Sequence, residues 1–291
     1  MANFSEHNEQ LKTIRSMGRL VSTMKMVSTS HLYRAQKELR RPEPFIVPLR
    51  SVLAQLTRMP ALANHRLVKA PVGRESRVLA FIVTSDHGLC GSFNNGVIRK
   101  ARVWAREQRV TRAASVHAYY VGMKGYNALH ETIESVSPPI SAEAHPTLRN
   151  SNVLSFFAFR TFMDGRFDEV WVICNRYVSS TVFSTQVQRI FPISIPEAVE
   201  GFADPVRLLV ESDPQSALVS ASRLLVTAGI YNVLLHGSAS EHAARMIAMD
   251  NSTKSLERMR SEMTILRNRA RQAAITNELN EIVSGAEALT D

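Results

Sequence analysis

Cysteine is scarce in this chain of 291 residues, which carries only Cys90 and Cys174 and no Cys-x-x-Cys pair. A disulfide framework or a cysteine-based zinc site needs more thiols at closer spacing, so neither is expected. Two distant thiols indicate a reducing compartment, and each is expected to be a small buried apolar residue.

Signals for export, membrane insertion and metal binding are also missing. The polar start MANFSEHNEQ has neither the apolar core of a signal peptide nor an arginine-rich, acid-free presequence. No apolar run reaches the length of a membrane span. The nine histidines form no His-Glu-x-x-His or His-x-His motif, and His236 and His242 lack ligand spacing on one helix face. We therefore expect a soluble or peripheral protein with no metal and no other cofactor.

Proline and glycine are rare in the C-terminal stretch from about Pro214 to Leu289, which has no later proline and three glycines. Such a stretch predicts one helix of about 110 Å, at 1.5 Å per residue. The helix is too charged to cross a membrane, because its middle carries Arg258, Arg260, Glu262, Arg267, Arg269 and Arg271. It therefore needs a partner along most of its length.

The N-terminal residues from about Phe4 to Leu39 predict a helix that supplies this partner. Apolar or small residues recur on it every three or four positions, at Leu11, Ile14, Gly18, Val21, Ser28, Leu32, Ala35 and Leu39, with a second stripe at Met17, Leu20, Met24 and Val27. The C-terminal helix has a narrow seam at Leu256, Met259, Met263, Leu266, Ala270 and Ala273. An antiparallel coiled coil is the favoured arrangement; the alternative is that both helices pack on the central domain as ordinary helices.

The segment between the two helices predicts an α/β domain. The prolines at 42, 44 and 48 end the first helix, and a shorter helix follows from Phe45 or Pro48 to Met59. Expected strands are Arg77–Thr84, Val116–Val121, Ile133–Val136, Glu169–Tyr177, Thr181–Ile190 and Arg207–Glu211, with helices at 95–108 and 147–164 and a turn at Gly122–Gly125. Strands that alternate with helices indicate a largely parallel sheet. Ser212, Asp213 and Pro214 form a helix start.

Two other functions remain open at this level. The net charge of +9 suits any acidic partner, including nucleic acid, although the basic residues do not interleave with aromatic ones. An enzyme is the other alternative, because Gly-Leu-Cys-Gly follows a strand and Asp86 and His87 are adjacent in a turn. That turn lacks the established phosphate-binding motifs, and no nucleophile accompanies the pair.

Several motifs resemble one known family across the whole chain. The segments SEHAARMIAMD (Ser240–Asp250) and NRARQAAITNELNEIVSGAEAL (Asn268–Leu289) are similar to the C-terminal signature of the γ subunit of F-type ATP synthase. MKMVS (Met24–Ser28) and SDHGLCGSFN (Ser85–Asn94) resemble its N-terminal and central motifs. Weaker matches lie at Gly122–Gly125, Cys174–Ser180 and Arg189–Ile193.

The resemblance implies a fold and a function. The fold class is α/β, with a long antiparallel coiled coil of the two end helices and an inserted Rossmann-like domain. The expected parts are residues 1–58, 59–211 and 212–291. The function implied is that of the central rotor stalk of a proton-translocating ATP synthase, which couples c-ring rotation to ATP synthesis on the α3β3 hexamer. The chain itself would be non-catalytic.

The resemblance also implies contacts and a location. Arg271, Gln272, Thr276 and Glu278 match positions that engage the surrounding α and β subunits, and Met24 and Lys25 match a neighbouring contact region. The ε subunit, δ and the c-ring are further expected partners, without nucleic acid or a membrane span. The expected location is the cytoplasmic face of a bacterial inner membrane; the alternative is the matrix face of the mitochondrial inner membrane for a processed chain.

The chain also departs from the family pattern beside the N-terminal motif. Leu20-Val21-Ser22-Thr23 precedes it where the family has Ile-Thr-Lys-Ala, so one basic charge is missing, and Ser28-Thr29-Ser30 replaces alanines. The domain has no cysteine pair, so the thiol switch of chloroplast γ subunits is not expected.

Overall fold

The computed structural model describes residues 2–69, 76–193 and 213–287. The helices are α1 (Ala2–Leu39), α2 (Glu43–Thr57), α3 (Phe93–Arg112), α4 (Met123–Leu129), α5 (Leu148–Met163) and α6 (Pro214–Glu287), with a 3-10 turn at Pro60–Leu62. The strands are β1 (Arg77–Val83), β2 (Ser115–Val121), β3 (Glu134–Ser135), β4 (Glu169–Tyr177) and β5 (Phe183–Phe191). Contacts group the chain into two units, one formed by residues up to 28 together with those from 246 onward, the other by residues 29–245.

The larger unit contains one five-stranded sheet in the order β3-β2-β1-β4-β5. The first four strands of this order pair in parallel and β5 runs antiparallel to β4. Every residue of β1 after Arg77 is buried, as expected of a central strand covered on both faces. The predicted Rossmann-like α/β architecture is therefore confirmed.

Alternate residues of β1 serve the two faces of the sheet. Leu79, Phe81 and Val83 belong to a core that also includes buried side chains of α2, α5 and α6. Val78, Ala80 and Ile82 belong to a second core with α3. Helices thus cover both faces, which is why the strand sequences read as continuous apolar runs.

The first part of α6 begins where the sequence predicted. The backbone N–H and the hydroxyl of Ser216 both donate to the Asp213 carboxylate at 3.0 Å. These bonds lower the pKa of Asp213, as a helix N-terminus does for a capping carboxylate. Leu218, Val226 and Ile230 of this part then pack into the core of the larger unit.

Part of α6 is more apolar than its charged middle led the sequence analysis to expect. Within Pro214–Val283 an 18-residue window has a mean hydropathy of 1.5, enough in length and composition to cross a membrane. One third of that window is buried inside the protein. Core helices of soluble proteins have the same character, so the window is weak evidence for a span.

Local boundaries differ from the sequence expectations at three places. The predicted turn at Gly122–Gly125 is the start of α4, with Gly122 at the N-cap position. Gly122 has φ +90, and a Cβ there would lie 2.3 Å from the Thr84 carbonyl oxygen, so the chain needs glycine at this contact. Helix α2 starts at Glu43, with Pro42 at its N-cap and Pro44 in its first turn, where proline is tolerated, and Pro48 lies inside it. The third strand has two residues, and the strand expected at Arg207–Glu211 lies outside the described residues.

The smaller unit is formed by the outer parts of α1 and α6, which make the predicted antiparallel coiled coil. On α1 the less exposed positions follow the expected spacing at Leu11, Ile14, Gly18, Val21, Lys25 and Ser28. Leu11 is 1% exposed. The second stripe of Met17, Leu20, Met24 and Val27 is exposed, so only the first stripe faces α6.

The seam on α6 is rotated relative to the expected one. Leu256, Met263 and Ala270 are partly buried, as predicted, whereas Met259, Leu266 and Ala273 are exposed. The partly buried positions that follow instead are Arg267 and Ala274, four residues after Met263 and Ala270. Steps of three and of four both follow a helix face. The expected seam was chosen by apolar character alone. It therefore missed Arg267, whose aliphatic stem can pack in a seam although its end is charged.

Candidate partner-binding surface

The end of α6 is a projecting tip. Among the side chains described up to Val283, Ala274 is the last partly buried one, and every side chain from Ile275 to Val283 is exposed. Ile275, Leu279 and Ile282 are among them, at intervals of four and three residues. Large apolar side chains at this spacing on an exposed helix mark a surface that a partner covers.

The four predicted contact residues on α6 are all exposed and lie on two neighbouring faces. Gln272 and Thr276 are four residues apart and share one face. Arg271 and Glu278 are seven residues apart, about two turns, and share another. The Thr276 hydroxyl donates to the Gln272 carbonyl at 2.9 Å, which fixes its orientation and leaves its lone pairs outward. The spacing of these residues along the sequence already places Gln272 and Thr276 on one face.

The two predicted contact residues on α1 have different surroundings. Met24 is exposed and continues the stripe of Met17, Leu20 and Val27. Lys25 is partly buried, and its ammonium binds Asp250 of α6 at 2.6 Å. The structure therefore assigns Lys25 an intrachain role that the sequence reasoning missed; its role toward a partner stays a prediction.

Asp250 stands between two lysines. Lys254 also binds it, at 2.8 Å, one helical turn further along α6. Hydrogen bonds from Lys25 and Lys254 lower the pKa of Asp250 to about 2. The carboxylate is consequently ionised at any physiological pH, and the crosslink between α1 and α6 would weaken only as the pH falls through the acid range toward 2.

The loop after β1, residues 84–92, is held by hydrogen bonds to neighbouring parts of the larger unit. The Asp86 carboxylate accepts from the backbone N–H groups of Met123 (3.0 Å) and Ala142 (2.9 Å) and from the Ser141 hydroxyl. The Ser85 hydroxyl donates to the carbonyl of His87 at 2.6 Å, not to its ring. The contacts favour a turn that ties β1 to α4 and to the segment before α5.

Replacing Asp86 by alanine is expected to destabilise the chain by about 2–4 kcal/mol, because two backbone donors lose a charged acceptor. Urea unfolding at pH 7.5 measures the change. Asp164→Ala is the matched control, since the Asp164 carboxylate pairs with Arg160 at 3.6 Å on the surface, and should cost less than about 0.5 kcal/mol. Equal stability of Asp86→Ala and the wild type would contradict this structural role.

Metal binding has no candidate in the described ranges, where no group of three or more His, Cys, Asp and Glu residues could hold an ion. Cys90 and Cys174 are both buried and unpaired, as expected from the sequence. Burial raises the pKa of the Cys174 thiol to about 12, so it is unreactive at neutral pH.

Comparison with known proteins matches nearly the whole chain. The family model described as ATP synthase matches residues 3–289. The ATP synthase gamma chain of Geotalea daltonii is 31% identical over 99% of both chains. That of Pelotomaculum thermopropionicum is 32% identical over 99% of this chain and all of its own.

Solved structures share the fold. A chain of the Euglena gracilis mitochondrial ATP synthase, in a structure of OSCP, F1 and the c-ring, has a TM-score of 0.66 at 16% identity. The match covers 99% of this chain and 95% of that one. A chain of the Tetrahymena thermophila mitochondrial ATP synthase central stalk and c-ring has a TM-score of 0.60 at 23% identity, over 80% of this chain and 98% of that one.

Proposed function

We propose a function from the premise that this chain belongs to the ATP synthase γ-chain family. The chain is the rotor-stalk subunit of an F-type ATP synthase, with the α and β subunits, ε and the c-ring as its partners. The observation that carries this function is the coiled coil of α1 and α6 with an exposed tip, matched over its full length by γ chains.

The geometry suits a rotating shaft. A two-stranded coil resists bending and twisting better than one helix, and the Lys25–Asp250 ion pair ties its strands together. The tip presents side chains all around a single helix, as an element surrounded by a ring of subunits requires. Because its faces differ, turning the tip changes what each surrounding subunit meets, and its orientation can thereby bias the three catalytic sites.

The contact residues divide by chemistry. Arg271 and Glu278 are proposed to form charged hydrogen bonds with the α and β subunits, and Gln272 and Thr276 neutral ones. Met24, with the exposed apolar stripe of α1, is proposed to make a sliding apolar contact. Lys25 is proposed to lie at the same contact, with its charge already balanced by Asp250. A balanced charge suits a surface that must slide past its neighbours without binding them tightly.

The chain is a subunit of the ATP synthase complex, and we propose that it performs no chemistry itself. Support comes from Asp86 and Ser85, whose polar atoms are engaged in the fold. We also propose that its complex lies at the cytoplasmic face of a bacterial inner membrane, since the γ chains of Geotalea daltonii and Pelotomaculum thermopropionicum are bacterial. The three-part division at residues 58 and 211 stays a prediction.

Assembly tests the function directly. The purified chain, mixed with α and β subunits of its own organism, should elute with them as one complex in size-exclusion chromatography. The chain with Leu279→Asp and Ile282→Asp, which place charges on the exposed apolar face of the tip, should elute in reduced amount. Separate elution of the wild-type chain at micromolar concentrations would contradict the proposed role.

Removing the residues after Ser284 should leave the isolated chain as stable as the full one, within about 0.5 kcal/mol. The reason is that the side chains of residues 275–283 are already exposed, so the end of α6 adds little to the fold. Thermal unfolding followed by circular dichroism compares the two chains. A clear loss of stability would show that the end of the helix packs on its own chain.

A further inference from the structure

Three histidines from different elements meet in the larger unit. His31 lies on α1, His242 on α6, and His145 in the segment before α5. His31 Nδ1 is 2.8 Å from His145 Nε2, and the rings of His31 and His242 stack with centroids 4.8 Å apart. No sequence pattern predicts this cluster, because His31 and His145 are 114 residues apart and His242 lies still further along the chain.

The cluster runs from solvent to the interior. His145 is exposed, His31 is partly buried and His242 is 4% exposed. Within the part of the chain that the structure describes, neither ring nitrogen of His242 has a hydrogen-bond partner in good geometry. The nearby Ala144 carbonyl accepts from the Ser238 hydroxyl at 2.7 Å, and it opposes the lowering of the His242 pKa only in part.

The surrounding charges oppose protonation. Arg34 on α1 and Arg245 on α6 face the cluster and disfavour added positive charge. Glu241, the nearby carboxylate, is bound to Arg245 at 2.7 Å, and Asp86 and His87 of the loop after β1 lie beside it. Two protonated rings cannot remain at the His31–His145 distance, because both nitrogens would then be donors.

We propose that His31, His145 and His242 form a proton-sensitive joint, which holds α1, α6 and the segment before α5 together when neutral and loosens on acidification. The packing of two stacked rings and one shared hydrogen bond is complete only in the uncharged state. Each further proton places a cation beside another imidazole and two guanidinium groups. Acidification therefore weakens this part of the larger unit, independently of the proposed function.

The direction and size of the effect follow from linkage. Burial, His31 and Arg245 lower the pKa of His242 from 6.5 to about 4. A lowered pKa in a base means that the folded chain binds fewer protons than the unfolded one. Stability is then complete above about pH 6.5 and falls as the pH drops toward 4. Between pH 7.5 and 5.5, His242 alone should raise the ratio of unfolded to folded chain about tenfold.

Urea unfolding of the full chain at pH 7.5 and pH 5.5 tests the joint. His242→Phe keeps a buried stacking ring without a titrating nitrogen. On acidification, its ratio of unfolded to folded chain should therefore rise about tenfold less than that of the wild type. His130→Phe is the control, because His130 is exposed at the C-cap of α4 and stacks on Tyr126, and this variant should lose as much stability on acidification as the wild type. If His242→Phe loses as much stability to urea between pH 7.5 and pH 5.5 as the wild type does, the proposal is overturned.

Proton NMR of the wild-type chain provides a readout that does not depend on the variant folding. The ring signals of His242 should not shift between pH 8 and pH 5.5, and a normal titration near pH 6.5 would overturn the proposal.

Zinc added at pH 7.5 should not stabilise the wild type. Stabilisation of the wild type by zinc, absent in His242→Phe, would assign the cluster to metal binding and also overturn it.

Discussion

The purified chain should not hydrolyse ATP, yet it should convert a mixture of α and β subunits from weak to sustained ATP hydrolysis. The first part of this expectation follows because Ser85 and Asp86 of the loop after β1 are engaged in the fold. The second part follows because the exposed tip needs a surrounding ring of subunits. In such a ring the asymmetric tip would drive each β subunit through its different states in turn. A coupled-enzyme assay of ADP release measures the rate with and without the chain.

Two outcomes of that assay are informative. Hydrolysis of ATP by the pure chain would contradict the non-catalytic role. If Asp86→Ala retained that hydrolysis, the loop after β1 would have no part in the activity. An unchanged rate when the chain co-elutes with α and β would contradict the role of the tip. The chain truncated after Ser284 provides the matched control, since it keeps Gln272, Thr276 and the two charged contact residues.

Gln272→Leu should lower the ATP-driven turnover of the assembled complex about tenfold, the equivalent of one lost hydrogen bond of about 1.4 kcal/mol. The substitution removes the amide and keeps the size and helical preference of the side chain. It should leave the helix content of the isolated chain unchanged, because Gln272 is exposed. Steady-state hydrolysis and proton pumping of the complex measure the effect.

Asn277→Leu is the control for Gln272→Leu. Asn277 is exposed on the same part of α6 but lies about 140° around the helix from Gln272. An added leucine there should leave turnover close to that of the wild type. Normal turnover with Gln272→Leu would show that this contact does not transfer from the family to this chain.

The sequence predicted the large features because they depend on patterns that local physics fixes. The long helix follows from the lack of proline after Pro214, and the parallel sheet follows from apolar strands that alternate with helices. The projecting tip also follows, because the first helix is shorter than the last. Burial of Cys90 and Cys174 needed only their apolar character.

Features that depend on distant contacts could not be read in the same way. The rotated seam at Arg267 and Ala274 requires knowledge of which side of α6 faces α1, and apolar character pointed to Leu266 instead. The ion pair of Lys25 joins residues 225 positions apart. Helix α4 was missed because Gly122 and Gly125 indicate a turn, while the close approach to Thr84 that requires Gly122 appears only in three dimensions.

Observation of rotation tests the central claim most directly. Val110 on α3 is 78% exposed, whereas both native cysteines are buried, so Val110→Cys gives one accessible thiol for a bead. With the α and β subunits fixed to a surface and ATP supplied, the bead should turn in one direction for many revolutions. ATP hydrolysis by the same complexes with a bead that stays at a fixed angle would contradict the assignment of this chain as the rotor.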